Sequence, residues 1–157
     1  MVKYVKGNLL DSDCDYICHQ VNCRGRMGSG IAKQIRERFP EVYRVYRERY
    51  DDALRVLRSP DQMLGSTDIV QIPDSNQHVV NMYSQRSYGY DGKCYTSYKA
   101  FRFILQELKK DIPTECTIGF PKGIGCGLGG GNWKTISAMI EEILGDTHNV
   151  YIYELCE

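Results

Sequence analysis

The 157 residues, 42% hydrophobic and 25% charged, have the length and make-up of one soluble globular domain spanning residues 1–157. Twenty Lys and Arg against twenty Asp and Glu leave a net charge of zero, so no global basic field favours bulk nucleic-acid binding. No apolar run reaches the roughly 18 residues of a membrane span, and Met1-Val2-Lys3-Tyr4-Val5-Lys6 lacks the apolar stretch of a signal peptide. A cytoplasmic protein without a membrane partner is expected, with its seven cysteines reduced.

In chain order, Lys3 to Lys6 and Tyr16 to Val21 read as short strands. Ile31, Ile35 and Phe39 recur at helical spacing. Pro40 opens a second helix carried by Val42, Val45, Tyr46, Tyr50, Ala53, Leu54 and Leu57, and Ser59-Pro60 ends it. Thr67 to Ile72 and His78 to Tyr83 are strands. A polar, aromatic loop then leads to a helix with Phe101, Ile104, Leu105 and Leu108 on one face, which stops before Pro113. Cys116 to Phe120 is a buried strand, and Ile136, Met139, Ile140 and Ile143 mark a last helix with Gly145 as an αL cap. Val150 to Leu155 closes the chain. The alternation predicts an α/β fold, a three-layer α/β/α sandwich. The connection between the first two strands is too short for a crossover helix, so the central sheet is expected to be mixed.

Two glycine-rich loops each follow a strand and open a helix. The first runs Asn22-Cys23-Arg24-Gly25-Arg26-Met27-Gly28-Ser29-Gly30. The second, Gly123-Ile124-Gly125-Cys126-Gly127-Leu128-Gly129-Gly130-Gly131, holds six of the chain's fifteen glycines. Glycines let backbone N–H groups approach an anion closely, and a helix amino end adds a favourable dipole. Together the loops predict a cleft that grips a diphosphate. Gly125, Gly127 and Gly130 also satisfy the dinucleotide fingerprint, but the long loop and the single strand after it fit a Rossmann turn poorly. Asp11, Asp13 and Asp15 begin a calcium-loop pattern that Tyr16 and Asn22 break. Cys14, Cys18, Cys23 and His19 lack zinc-site spacing, so no metal is expected.

Lys6-Gly7-Asn8-Leu9, Cys18-His19-Gln20-Val21-Asn22, Gly25 to Gly30 and Gly125-Cys126-Gly127-Leu128 resemble the macrodomain, an ADP-ribose-binding module, over nearly the whole chain. The pattern is similar to the small stand-alone type, which includes ADP-ribose-1″-phosphate phosphatases and ADP-ribosyl-glutamate hydrolases. The resemblance implies ADP-ribose or an ADP-ribosylated substrate as the partner. It places Asn8, where the family has an Asp, and Leu9 at the adenine amino group, and Asn22 at the distal ribose. Gly28, Ser29 and Gly30, with Gly123, Ile124, Gly125, Cys126, Gly127 and Leu128, would wrap the diphosphate and distal ribose, and Tyr153 would stack on adenine.

The Lys and Asp that glutamate-type hydrolases use are replaced by Ser84-Gln85-Arg86 and Gly129-Gly130, and the Asp of many mono-ADP-ribosyl hydrolases is missing from the first loop. His19 and Asp91 are the candidates for handling a proton at the distal ribose, against a backbone-bonded strand histidine and a turn-forming Asp. Cys126 is either a thiol nucleophile or a small residue needed for close packing. Gln85, Arg86 and Tyr88 are further candidates for the cleft, and Trp133 for the core. The expected activity is hydrolysis of ADP-ribose-1″-phosphate to ADP-ribose and phosphate, or of an ADP-ribosyl ester, without metal or cofactor. The alternative is a non-catalytic ADP-ribose reader. Nothing beyond scattered surface aromatics marks an interface, and a monomer is expected.

Overall fold

The computed structural model describes residues 1–155, apart from the side chain of Leu57. Six strands, β1 (Val2–Lys6), β2 (Tyr16–Asn22), β3 (Thr67–Gln71), β4 (His78–Gln85), β5 (Thr117–Pro121) and β6 (Asn149–Glu154), form one sheet in the order β1-β6-β5-β2-β4-β3. Four helices cover it: α1 (Gly30–Arg38), α2 (Pro40–Asp52), α3 (Tyr98–Asp111) and α4 (Trp133–Leu144).

The period-two alternation of the strands splits the core into two layers. Cys18, Val80, Met82, Phe120 and Ile152 face one way, onto Phe101, Ile104 and Leu105 of α3 and Ile136 and Ile140 of α4. Ile17, Val21, Val79 and Tyr83 face the other, onto Ile35 of α1 and Val42 and Tyr46 of α2. The result is the expected three-layer sandwich. Among the described residues no helix is long and apolar enough to cross a membrane.

The sheet is mixed for a different reason from the one the sequence suggested. β1 does not pair with β2; it pairs in parallel with β6, and β2 lies between β4 and β5. The antiparallel pair is β3 with β4, joined by a short hairpin. The five strands other than β3 therefore end at the same edge, where parallel sheets place ligand crevices. Two further expectations are corrected. Beyond Asp52 the chain forms a π turn over Ala53–Leu57 that exposes Leu54 and Val56, ended by Arg58 in the left-handed region. Gly145 is not an αL cap: it keeps right-handed helical angles and donates to Glu141 O.

His19 is corrected as well, because β2 carries it into the core instead of to the crevice. It is completely buried. On its sheet face Asp68 accepts from Arg49 (2.8 Å), from the Tyr83 hydroxyl (2.6 Å) and from Asn81 Nδ2 (3.1 Å). An acceptor-only carboxylate fixes which way the Asn81 amide points, so Asn81 Oδ1 faces His19 Nε2 at 2.6 Å and accepts a hydrogen bond from its N–H. Nδ1 is then a bare, buried nitrogen without a partner among the described residues. Burial holds the imidazole neutral, lowering its pKa to about 4 against the weaker opposing pull of Asn81 and Asp68.

This buried imidazole makes stability depend on pH. Its folded-state pKa lies below the ordinary value of 6.5, so the unfolded chain binds more protons between about pH 6.5 and pH 4. The stabilisation from neutral His19 is complete above that window and is lost as pH falls through it, by roughly 3 kcal/mol. Urea titrations across this range should show that extra decline in the native sequence and its absence in His19→Gln. Parallel stability profiles for the two would refute the assignment.

Candidate functional site

The carboxyl ends of the five parallel-running strands line one cleft of about 930 Å³, the upper range of small-molecule pockets. Gly7 to Leu9 enter from β1, Asn22, Arg26 and Gly28 to Gly30 from β2, Gln85, Tyr88 and Tyr90 from β4, Gly123 to Gly125 and Gly127 to Gly129 from β5, and Tyr153 to Leu155 from β6.

Asn22 organises the first glycine loop. Its Oδ1 accepts from Arg24 N (2.9 Å), and its Nδ2 donates to Arg26 O (3.0 Å), a local turn that draws the chain out of the strand. The buried Tyr46 of α2 completes the clamp: its hydroxyl accepts from Arg26 N (3.1 Å) and donates to Asn22. The loop then delivers α1 with its amino end at the cleft. Gly30 has φ +58°, a left-handed angle natural to glycine, and the Ser29 side chain makes no capping bond. The first N–H groups of α1 lack intrahelical partners by geometry, and Gly30, Ile31 and Ala32 all line the cleft. Such an amino end suits an anion.

The second loop is pinned from below. Gln20 of β2 donates to Thr96 Oγ1 (3.0 Å) and to Gln85 Oε1 (2.9 Å), and its own Oε1 accepts from Ser84 (2.7 Å). Thr96 passes the contact on, its hydroxyl donating to Gly125 O (2.7 Å). Tyr95 N and Thr96 N donate to Gly129 O. Gly125 has φ +76°, an angle that favours glycine, and a Cβ there would crowd Gln20 Oε1 at 3.0 Å. The N–H groups of Gly125, Gly127, Leu128 and Gly129 donate to no described residue, and all four residues line the cleft. An unpaired N–H needs water or a ligand.

The other sequence-stated residues fall as follows. Asn8 lines the cleft and caps a short turn, its Oδ1 accepting from Leu10 N (3.0 Å). Leu9 and Tyr153 line the same end, the Tyr153 ring lying against Gly7. Gly28, Ser29, Gly123, Ile124 and Leu128 are also on the wall.

Cys126 is not on that wall. Its Sγ packs against the core and sits 3.4 Å from Ile124 O. Burial, then the neighbouring Cys94, pushes its thiol pKa up, which disfavours a thiolate. Asp91 also lies off the wall. It accepts from the Tyr95 hydroxyl (2.9 Å) and from Lys93 N (3.2 Å), as a turn-forming Asp does. Arg86 turns to Asp61 (3.6 Å), while Trp133 both packs on the core and borders the cleft. Gln20, Gln34, Lys122 and Tyr90 line the cleft without having been singled out from the sequence. Only their tertiary position marks them. Among the described residues no three His, Cys, Asp or Glu side chains cluster as a metal site would require, and Cys18 faces one core layer while Cys14 and Cys23 face the other.

No family model matches the chain. An uncharacterized 17.5 kDa protein of Enterobacteria phage T4 is 28% identical over 145 residues, 90% of this chain and 88% of that one. The ADP-ribose 1″-phosphate phosphatase of Meyerozyma guilliermondii is 31% identical over 78 residues, covering 48% of this chain and 43% of the enzyme. The DNA ADP-ribosyl glycohydrolase of Mycobacterium bovis is 44% identical over 46 residues, 29% of this chain and 13% of the enzyme. The chain therefore spans less than half of either named enzyme. Among solved structures, the macrodomain of Mycobacterium tuberculosis DarG superposes with a TM-score of 0.78 at 22% identity, covering 98% of this chain and 97% of that one. DarTG of Thermosipho africanus, in complex with ADP-ribose, gives 0.78 at 20% identity over 98% of this chain and 41% of that one. Strand order, two glycine loops and these superpositions agree: the chain has the macrodomain fold.

Proposed function

We propose that the cleft binds ADP-ribose derivatives and hydrolyses them at the distal ribose, with ADP-ribose-1″-phosphate the favoured substrate and an ADP-ribosyl ester the close variant. The observation that carries this reading is that one cleft is lined both by the second glycine loop, with four unpartnered N–H groups, and by the α1 amino end that the first loop delivers. Such donors suit a diphosphate, whose charge they meet with fixed dipoles. At the other end Asn8 keeps one Oδ1 lone pair after capping Leu10, enough to accept from an adenine amino group. Leu9 and Tyr153 offer apolar surface for the base. Asn22, Gly28, Ser29 and Gly30 share the cleft with Gly123, Ile124, Gly125, Gly127 and Leu128, which suits these residues to hold the distal ribose.

In the proposed reaction water attacks the 1″ group and ADP-ribose and phosphate leave. With His19 buried, Asp91 is the proton-handling candidate, from the loop whose Tyr88 and Tyr90 line the cleft. A reader that binds ADP-ribose without turnover is favoured by one observation: neither His19 nor Asp91 is on the cleft wall.

A phosphorus NMR time course with ADP-ribose-1″-phosphate separates the two readings. The enzyme releases free phosphate at catalytic protein concentration. Asp91→Asn then lowers kcat by about 100-fold while the Kd for ADP-ribose changes by less than about twofold. Shifted diphosphate resonances without phosphate release would make the protein a reader of this ligand, and unchanged resonances at stoichiometric protein would remove the ADP-ribose reading.

A further inference from the structure

Asn8 stands at the end of the cleft where Leu9 and Tyr153 offer apolar surface. It is half-buried, and Leu10 N donates to its Oδ1 at 3.0 Å. A backbone N–H can only donate, so this contact identifies the near amide atom as the oxygen and keeps the amide from turning over. Nδ2 keeps two protons, and no acceptor for them lies among the described residues. The side chain therefore presents a free donor beside the second lone pair of an acceptor. No free carboxylate competes with it: among the described residues Glu154 is the one acidic side chain on the cleft wall, and Lys122 meets it at 3.4 Å.

These pairing options decide which bases fit. A 6-aminopurine carries an amino donor beside the N1 acceptor, and a 6-oxopurine carries the reverse, an O6 acceptor beside an N1–H donor. A carboxylate only accepts, so beside it a 6-oxopurine would set one oxygen against another. An amide has a partner for each atom of either edge. The surface of Leu9 and Tyr153 holds a ring by apolar contact, which is non-directional. A purine can therefore slide along it by the spacing of the two amide atoms and exchange one pairing for the other, while Leu10 keeps the amide fixed.

We infer that Asn8 determines the base specificity of the cleft and makes it permissive, so that a 6-oxopurine is taken as well as adenine. The inference rests on the ADP-ribose reading, which seats the base against Leu9 and Tyr153. The ligand class is then the purine nucleoside diphosphate riboses, sorted by their diphosphate and distal ribose and not by the group at C6.

The test compares Kd values for ADP-ribose and its hypoxanthine analogue, inosine diphosphate ribose, in the native protein and in Asn8→Asp. An aspartate keeps an oxygen to accept from Leu10 N, so the turn keeps its cap and only the donor is lost. The native protein should bind the hypoxanthine ligand no more than about fivefold more weakly than ADP-ribose. Asn8→Asp should move the ratio of the two Kd values by more than about fivefold in favour of adenine, because O6 then meets a carboxylate. A native preference for adenine beyond about fivefold would overturn the inference, with no variant needed. A ratio that Asn8→Asp moves by less than that would overturn it too, since the base would then not be read at residue 8. Failure of the native protein to bind either ligand is a separate result and would overturn the ADP-ribose reading itself.

Discussion

Two polar side chains near the end of one strand hold both glycine loops in place. Gln20 reaches the second loop through Thr96 and Gly125, and Asn22 folds the first loop back on itself with the help of Tyr46. Glycine-rich segments lose more conformational freedom on ordering than any others. Without these contacts a ligand would have to order both loops as it bound, at a cost to affinity. β2 can bear this load because it lies between β4 and β5 with a packed core layer on each face. Ser84 and Gln85 at the end of β4 brace Gln20 from the neighbouring strand, next to the register shift at Val21 and Asn22.

The cleft carries little net charge of its own. Lys122 is balanced by Glu154 at 3.4 Å, both on the wall, so Arg26 is the cation left over there. An anion bound there would draw the rest of its stabilisation from oriented N–H groups, which stay fixed whether or not it is present. The same economy explains why overall composition says nothing of the ligand. Dipoles built from glycine and a helix end leave no mark on net charge.

What was legible in the sequence had a short-range cause. The period of apolar residues located the helices and strands closely, as for Trp133–Leu144, and the glycine spacing marked both loops before any fold was known. What was not legible depended on which strands meet. Strand order put β1 beside β6, so the antiparallel pair lay elsewhere than expected. His19 looked like a site residue because it precedes the loop by three positions, yet the pleat turns it into the core, where Asp68, a residue of a distant strand, dictates the orientation of its partner Asn81. Gln20, one residue further on, lines the cleft, and nothing in the sequence assigns it a role there. Tyr46 read as part of an apolar helix face; its hydroxyl contact with the loop depends on how α2 crosses β2.

The central claim is that backbone amides of two separate loops bind the diphosphate. A titration of ¹⁵N-labelled protein with ADP-ribose, followed by amide resonances, tests it most directly. The amides of Gly30, Ile31 and Ala32 and those of Gly125, Gly127, Leu128 and Gly129 should shift together along one saturable curve, while those buried in β2, such as His19, stay put. Saturable shifts confined to one loop, or centred on another face of the molecule, would contradict the account.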